Sequence, residues 1–344
     1  MSAGWLVEKL WAAVCQPTAS RERSARMTGV PGVHTVADLY SRGMSRSAIE
    51  HACRTGRIVR VRRGVYCERA AWEASASSSA LRHAIEVWAA ILALGRRGWA
   101  SGYSAALLLG LPVPKGQPEG VEISLPQRFH GRRGYRGMRV RTASVAKGDV
   151  FVLRGVPMTV PARTSLDITR NHGFPAGLIV ADAALRNDVV RPGELDEMVE
   201  GMKGWRKSSQ MRLVAEHASR TRESPGESFS YAVFVIAEFP LPECNAWVVG
   251  EGHGGVRSDF LWRRHRLVGE VDGHLKYRDP LWGPPERVLL DEKKRQMRIE
   301  EAGFVVVRWT PAEAVNEPGA VLHRIVRQST IAARMFGVPC ISMP

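Results

Sequence analysis

The stretch Val256–Asp272, VRSDFLWRRHRLVGEVD, constrains this chain most, because two short apolar runs, VRSDFLW and RLVGEVD, flank a polar RRHR in the pattern of a β-hairpin. With Arg264 and His265 as a two-residue loop, Asp259 falls opposite Glu270 and Arg257 opposite Asp272, and strand alternation puts all four on one face. Opposed side chains have β-carbons about 4.5–5.5 Å apart, and like charges held there are destabilising unless positive charge lies between them. A divalent cation is one such charge, since Mg²⁺ is usually held by one or two carboxylates plus phosphate oxygens. The other reading is an exposed face on which the acids solvate the sheet and Asp272 pairs with Arg257. Both stand at this point.

At 344 residues the chain exceeds one ordinary domain, and its 44% apolar content is enough to bury cores in two or three. The formal charge of +15 points to a polyanionic partner, nucleic acid first. An anionic membrane is set aside because no stretch reaches the roughly 18 apolar residues of a spanning helix. The five cysteines, Cys15, Cys53, Cys67, Cys244 and Cys340, have no CxxC spacing, which argues against a zinc knuckle or disulfide framework and for a reducing, cytoplasmic setting. The opening GWLVEKLWAAVC carries Glu8 and Lys9 within its apolar part and makes a poor signal peptide; Met27 is an alternative start to Met1.

After an N-terminal extension (1–32), residues 33–70 read as a winged helix-turn-helix. TVADLYSRG is a short helix ending at Gly43, and Ser45 caps a second, RSAIEHACRT, in which Ile49, Ala52 and Cys53 recur at helical spacing. RIVRVRRGVYC then alternates as a strand, gathering Arg57, Arg60, Arg62 and Arg63 before a turn at Gly64. In a winged helix the second helix enters the major groove and the wing touches phosphates. Arg46, His51 and Arg54 are therefore candidate base-side residues, and the four wing arginines candidate phosphate contacts. The competing reading is an αα-hairpin followed by a solvated basic strand.

Residues 71–222 form a mixed middle domain. LRHAIEVWAAILALG is a helix closed by Gly95, and SGYSAALLLGLPVP is a shorter one. Three strand-like runs follow, VEISLP, MRVRTA and DVFVLRGVPMTV. Between the first two lies a glycine-rich loop with Arg128, Arg132, Arg133, Arg136 and Arg139, readable as phosphate-tracking or as a solvated turn. Three helices close the region. The segments SRSAIEHACRTGRIVRVRRGVYC, SGYSAALLLGLP, RGVPMTVPARTSLDITR and VADAALRND together resemble the AbiEi-type antitoxins of type IV toxin-antitoxin systems, particularly actinobacterial members, over roughly residues 33 to 200. That resemblance implies promoter binding by a winged helix and repression, with DNA and a cognate toxin as partners. A second copy of the chain is a further expected partner.

A polar, basic segment places a boundary near residue 222, and SPGE opens residues 223–344 as a capping box in which Glu227 reaches back to the Ser224 amide. The elements beyond it run αβββαβα, so the whole is a multidomain α/β (α+β) protein. An acid in the first helix, an Asp on the second strand and Glu-x-acid on the third resemble the PD-(D/E)XK nucleases. The nearer likeness, over about 224 to 330, is to a domain of unknown function related to very-short-patch-repair endonucleases, carried by RSDFLWRRHRLVGEVDGHLKY and EKKRQMRIEEAGFVVVRW. The resemblance implies a Mg²⁺- or Mn²⁺-dependent DNA endonuclease in which Asp259 and Glu270 hold the metal and Glu227 assists. Where that pattern has a lysine two residues after the Glu, this chain has Asp272. The water-polarising cation is then Lys276, Lys293 or Lys294, with Lys276 expected to matter most. The alternative function is a non-catalytic antitoxin or repressor with a degenerate nuclease fold.

Overall fold

A computed structural model describes the chain at residues 29–114, 120–127, 136–146, 148–250, 255–272 and 285–343. The described residues fall into two compact units. One runs up to Gly173 and includes Asn187–Glu216; the other joins Phe174–Arg186 to His217 and beyond.

The first unit opens with β1 (Val33–Thr35), α1 (Val36–Ser41), α2 (Arg46–Arg54), β2 (Ile58–Arg62) and β3 (Val65–Glu68), the strands ordered β1-β3-β2. Local chemistry sets these boundaries. Thr35 and Asp38 form a reciprocal capping box, and Ser45 accepts from the Ala48 amide at 3.2 Å. Arg62 pairs with Val65 across the turn at Arg63–Gly64, where Gly64, at φ 76°, takes the left-handed conformation that glycine adopts without steric cost. The arrangement is consistent with a small winged-helix domain.

Helices α3 (Arg69–Ala74), α4 (Ser79–Ala93) and α5 (Gly102–Leu108) then alternate with a sheet of β4 (Trp99–Ala100), β5 (Val121–Pro126), β6 (Met138–Ala143), β7 (Val150–Leu153) and β8 (Val156–Thr159), ordered β6-β5-β4-β8-β7. The run expected as one strand from Asp149 is two, β7 and β8, because Arg154 and Gly155, at φ 50° and 79°, turn the chain back on itself. Buried residues of α4, among them Ile85, Trp88 and Ile91, share one core with Val33, Val65 and Cys67 of the first module and with Ile123, Leu125 and Met158 of the larger sheet. The strands of the winged helix therefore share a core with the larger sheet. Helix α6 (Pro161–His172) completes this part.

Helix α7 (Phe174–Arg186) belongs to the second unit, whereas α8 (Glu194–Gly201) and most of α9 (Ser208–His217) belong to the first. The chain thus passes between units more than once, where its composition suggests a single boundary near 222. The physical reason is a buried ion pair within the second unit: Asp182 of α7 takes Arg222 Nε at 2.6 Å and Nη2 at 2.8 Å, and Arg222 lies over the Tyr231 ring. The polar segment read as leading to the boundary also contains α9, which buries Met211 and Val214.

The second unit continues with α10 (Pro225–Ile236), β9 (Glu243–Val249), β10 (Val256–Trp262), β11 (Leu267–Val271), α11 (Pro285–Glu301), β12 (Val305–Trp309), α12 (Pro311–Asn316) and α13 (Pro318–Phe336). The strands form one sheet ordered β12-β11-β10-β9, with β11 and β12 parallel and the other pairs antiparallel. On one face Phe234 of α10 and Val321, Leu322 and Ile325 of α13 pack on Phe260, Trp262, Val307 and Trp309. Gly269 lies between two indoles, where an added β-carbon would come within 2.7 Å of Trp309 and 3.0 Å of Trp262, so that strand position admits no side chain. The opposite face, with Leu261 and Val268, carries Ile299 of α11.

Candidate nucleic-acid interface and acidic cluster

The hairpin loop is longer than the two residues read from sequence. Arg263–His265 form a 3-10 turn and Arg266 takes the left-handed conformation, so the loop spans 263–266. One residue is added on each side of Arg264–His265, which leaves the register as expected: Trp262 pairs with Leu267, Leu261 with Val268 and Phe260 with Gly269. Asp259 and Glu270 come next. There the ladder gives way to a side chain, the Val271 amide donating to Asp259 Oδ2 at 2.7 Å.

Glu270 is buried and stands beside Arg308 in the parallel β11–β12 register. Arg308 Nε donates to Glu270 Oε2 at 3.0 Å, and Arg295 Nη1 of α11 lies 2.6 Å from Oε1. That second contact is close but off the hydrogen-bond axis, so among the described residues Oε1 has no aligned donor. It is an ion pair nonetheless, because Coulomb attraction does not depend on that angle. Burial pushes the Asp259 carboxyl up to about 6; the neighbouring Glu227 and Glu270 add to this, and the Val271 amide and Arg295 oppose it. Arg308 is held above its usual range, burial being outweighed by Glu270, with Asp272 and Glu292 contributing.

The structure therefore gathers Glu227, Asp259, Glu270 and Asp272, but with partners the sequence did not indicate. Glu227 Oε2 accepts from the Glu223 amide at 2.8 Å and from Asn245 Nδ2 at 2.7 Å, not from the Ser224 amide. Arg257 pairs with Glu223, and the Asp272 amide donates to Trp309 O at 2.9 Å. Lys276 lies outside the described residues. Lys293 and Lys294 are exposed. Among the described residues, Arg295 and Arg308 are the cations that pair with Glu270, and sequence reasoning missed both. A signal existed for one of them, since Arg308 is the charged residue in the apolar run FVVVRW.

Donor chemistry tests whether a divalent ion fits here. Among the described residues no three His, Cys, Asp or Glu side chains are grouped so as to hold one. Both Glu270 oxygens face guanidinium groups, one Asp259 oxygen is engaged by an amide, and Glu227 serves an amide and Asn245. Two arginines supply the positive charge that the opposed carboxylates need, so the cluster as arranged does not fit Mg²⁺ or Mn²⁺.

In the first unit, α2 buries Ile49 and Ala52 and turns Arg46, Glu50, His51 and Arg54 outward. Arg46 Nε bonds Glu50 Oε1 at 3.1 Å on the exposed face. Arg54, Arg60, Cys53 and Tyr66 help line a shallow depression of about 480 Å³ between α2 and the wing. Arg57, Arg60 and Arg63 are exposed. Arg62 differs: Nη1 donates to Arg136 O at 3.1 Å and Nη2 to Gly137 O at 3.2 Å. Its guanidinium is committed within the protein, which removes it from the expected phosphate contacts.

Residues 31–69 match the family described as Transcriptional regulator, AbiEi antitoxin. The match coincides with the α1–β3 module. The chain is also 32% identical over 181 residues to an uncharacterised protein of Mycobacterium tuberculosis, found in two strains; the alignment covers 52% of this chain and 64% of that relative. The chain thus spans less than two thirds of the length of these curated relatives. A crystal structure of another Mycobacterium tuberculosis protein is similar over 66% of this chain and 79% of its own, at 17% identity and a TM-score of 0.35. In the second unit, no described helix is long and apolar enough to cross a membrane, and the same holds for the first.

Proposed function

We propose that the protein is a cytoplasmic duplex-DNA-binding regulator of the antitoxin class. Helix α2 enters the major groove through His51 and Arg54, with Arg46 beside them, and Arg57, Arg60 and Arg63 contact phosphates. The observation that carries this is the coincidence of the matched residues 31–69 with a helix-turn-helix and a two-stranded wing, three of whose four arginines are exposed. The net charge of +15 supports it. The antitoxin class calls for a cognate toxin as second partner.

The test is binding of the full chain to duplex DNA by fluorescence anisotropy over a range of salt. Replacing Arg57, Arg60 and Arg63 by Ala should reduce the slope of log K against log salt by roughly 0.9 per contact, about 2.7 in all, while sequence preference survives. An unchanged slope would remove the wing from the interface.

A second reading, a phosphodiester hydrolase of the PD-(D/E)XK type, draws on the αβββαβ order of α10–β12 and on the meeting of Asp259 with Glu270. The arginine pairing of Glu270 speaks against it. Plasmid nicking with Mn²⁺, set beside the Glu270→Ala protein, separates the readings. Metal-dependent nicking lost in the variant would favour the hydrolase.

A further inference from the structure

The basic surface of the first unit does not end at the wing. The Arg63–Gly64 turn sits at the tip of β2 and β3, and Arg62, the last residue of β2, reaches across to the backbone just before β6. Both terminal nitrogens of Arg62 are spent on consecutive carbonyls, those of Arg136 and Gly137, and among the described residues its Nε is a buried donor without an acceptor. Such a side chain is spent on fixing backbone. Gly137 O also accepts from the Val121 amide at 3.2 Å, so the tethered segment is anchored to β5 as well.

Steric crowding restricts the same segment. Gly120, at φ 106°, lies so close to it that an added β-carbon would come within 2.7 Å of Gly137 O. The segment leads directly into β6, whose Arg139 and Arg141 are committed to the buried Glu122 at 3.7 and 3.2 Å. Arg136 is exposed. It is thus an outward-facing cation whose backbone is held within one arginine's reach of the wing tip, while Arg62 and Arg139 are committed to carbonyls and a carboxylate.

We propose that Arg136 is a further phosphate contact of the DNA-binding surface, and that Arg62 is the positioning residue that docks it beside the wing. The proposal rests on the duplex-DNA reading. It extends the footprint from the winged-helix module onto the neighbouring sheet, which shares its core with that module through α4.

The test is a double-mutant cycle read as the salt slope of binding of the full chain to a non-specific DNA duplex. Arg136→Ala should lower the slope by roughly 0.9. Arg62→Ala should lower it by the same amount, although Arg62 touches no phosphate, and the double variant should lower it no further. Arg62→Lys, whose ammonium can still donate to the carbonyls, should restore most of the loss. A reduction of roughly 1.8 in the double variant would mean that Arg62 contacts phosphate itself and would overturn the assignment, as would an unchanged slope in Arg136→Ala. If Arg62→Ala does not fold, the Arg136→Ala slope alone decides. Wild type that binds no duplex would end the DNA reading itself, an outcome distinct from binding with additive losses.

Discussion

The clearest quantitative consequence of the acidic cluster concerns Asp259→Asn. Burial, Glu227 and Glu270 raise the Asp259 carboxyl from an ordinary 3.8 to about 6. The folded state therefore binds this proton more tightly than the unfolded chain does. The resulting stabilisation is fully present below the unfolded value, fades as pH rises through the interval, and is gone above the folded value. A shift of roughly 2 units at 1.36 kcal/mol each bounds the loss at about 3 kcal/mol by neutral pH. Asn is isosteric and uncharged, and its side-chain oxygen can still accept from the Val271 amide. The variant should accordingly match wild type near pH 4 and exceed it by about 1–3 kcal/mol at pH 8, the lower end allowing for solvent screening at this half-buried site. For a unit of this size that is on the order of 3–9 °C in Tm. Calorimetric melts of matched full-length proteins at several pH values provide the measurement, and the difference cancels every titrating group not coupled to Asp259. A difference constant with pH, or a variant less stable at pH 8, would refute the burial of Asp259 beside Glu227 and Glu270.

Two further outcomes follow from the arginine clamp. Arg308→Met should destabilise the second unit by about 2–3 kcal/mol, because it leaves the buried Glu270 charge half compensated, and Glu270→Gln on that background should recover most of the loss in urea titrations. Millimolar Mg²⁺ or Mn²⁺ should leave the melting temperature of wild type and of Asp259→Asn unchanged. A cation bound only to the folded state at a hundred times its Kd would add about 2.7 kcal/mol, so a rise of several degrees in wild type alone would restore the metal reading.

Much of the local architecture was legible in the sequence, because short-range rules set it. Ser45 before RSAIEHACR, glycine at the wing turn, and apolar runs either side of RRHR each determine an element within a few residues of themselves. The register that brings Asp259 to Glu270 survived a misread loop, since a one-residue slip would have turned Phe260 and Trp262 out of the aromatic core. The partners of those acids were not legible. Arg295 and Arg308 lie on a helix and a strand well beyond the hairpin, and only the parallel β11–β12 pairing and the packing of α11 bring them to Glu270. The same holds for the passage of the chain between units, decided by the burial of Asp182 with Arg222, and for Arg62, which composition counts among four equivalent wing arginines until the carbonyls of Arg136 and Gly137 claim it. Sequence by itself determined where elements begin and which residues share a face, because those depend on neighbours in the chain. Only the tertiary structure decided which charges are neutralised and which remain available to a ligand, because electrostatic pairing depends on distance in space and on the water that packing excludes.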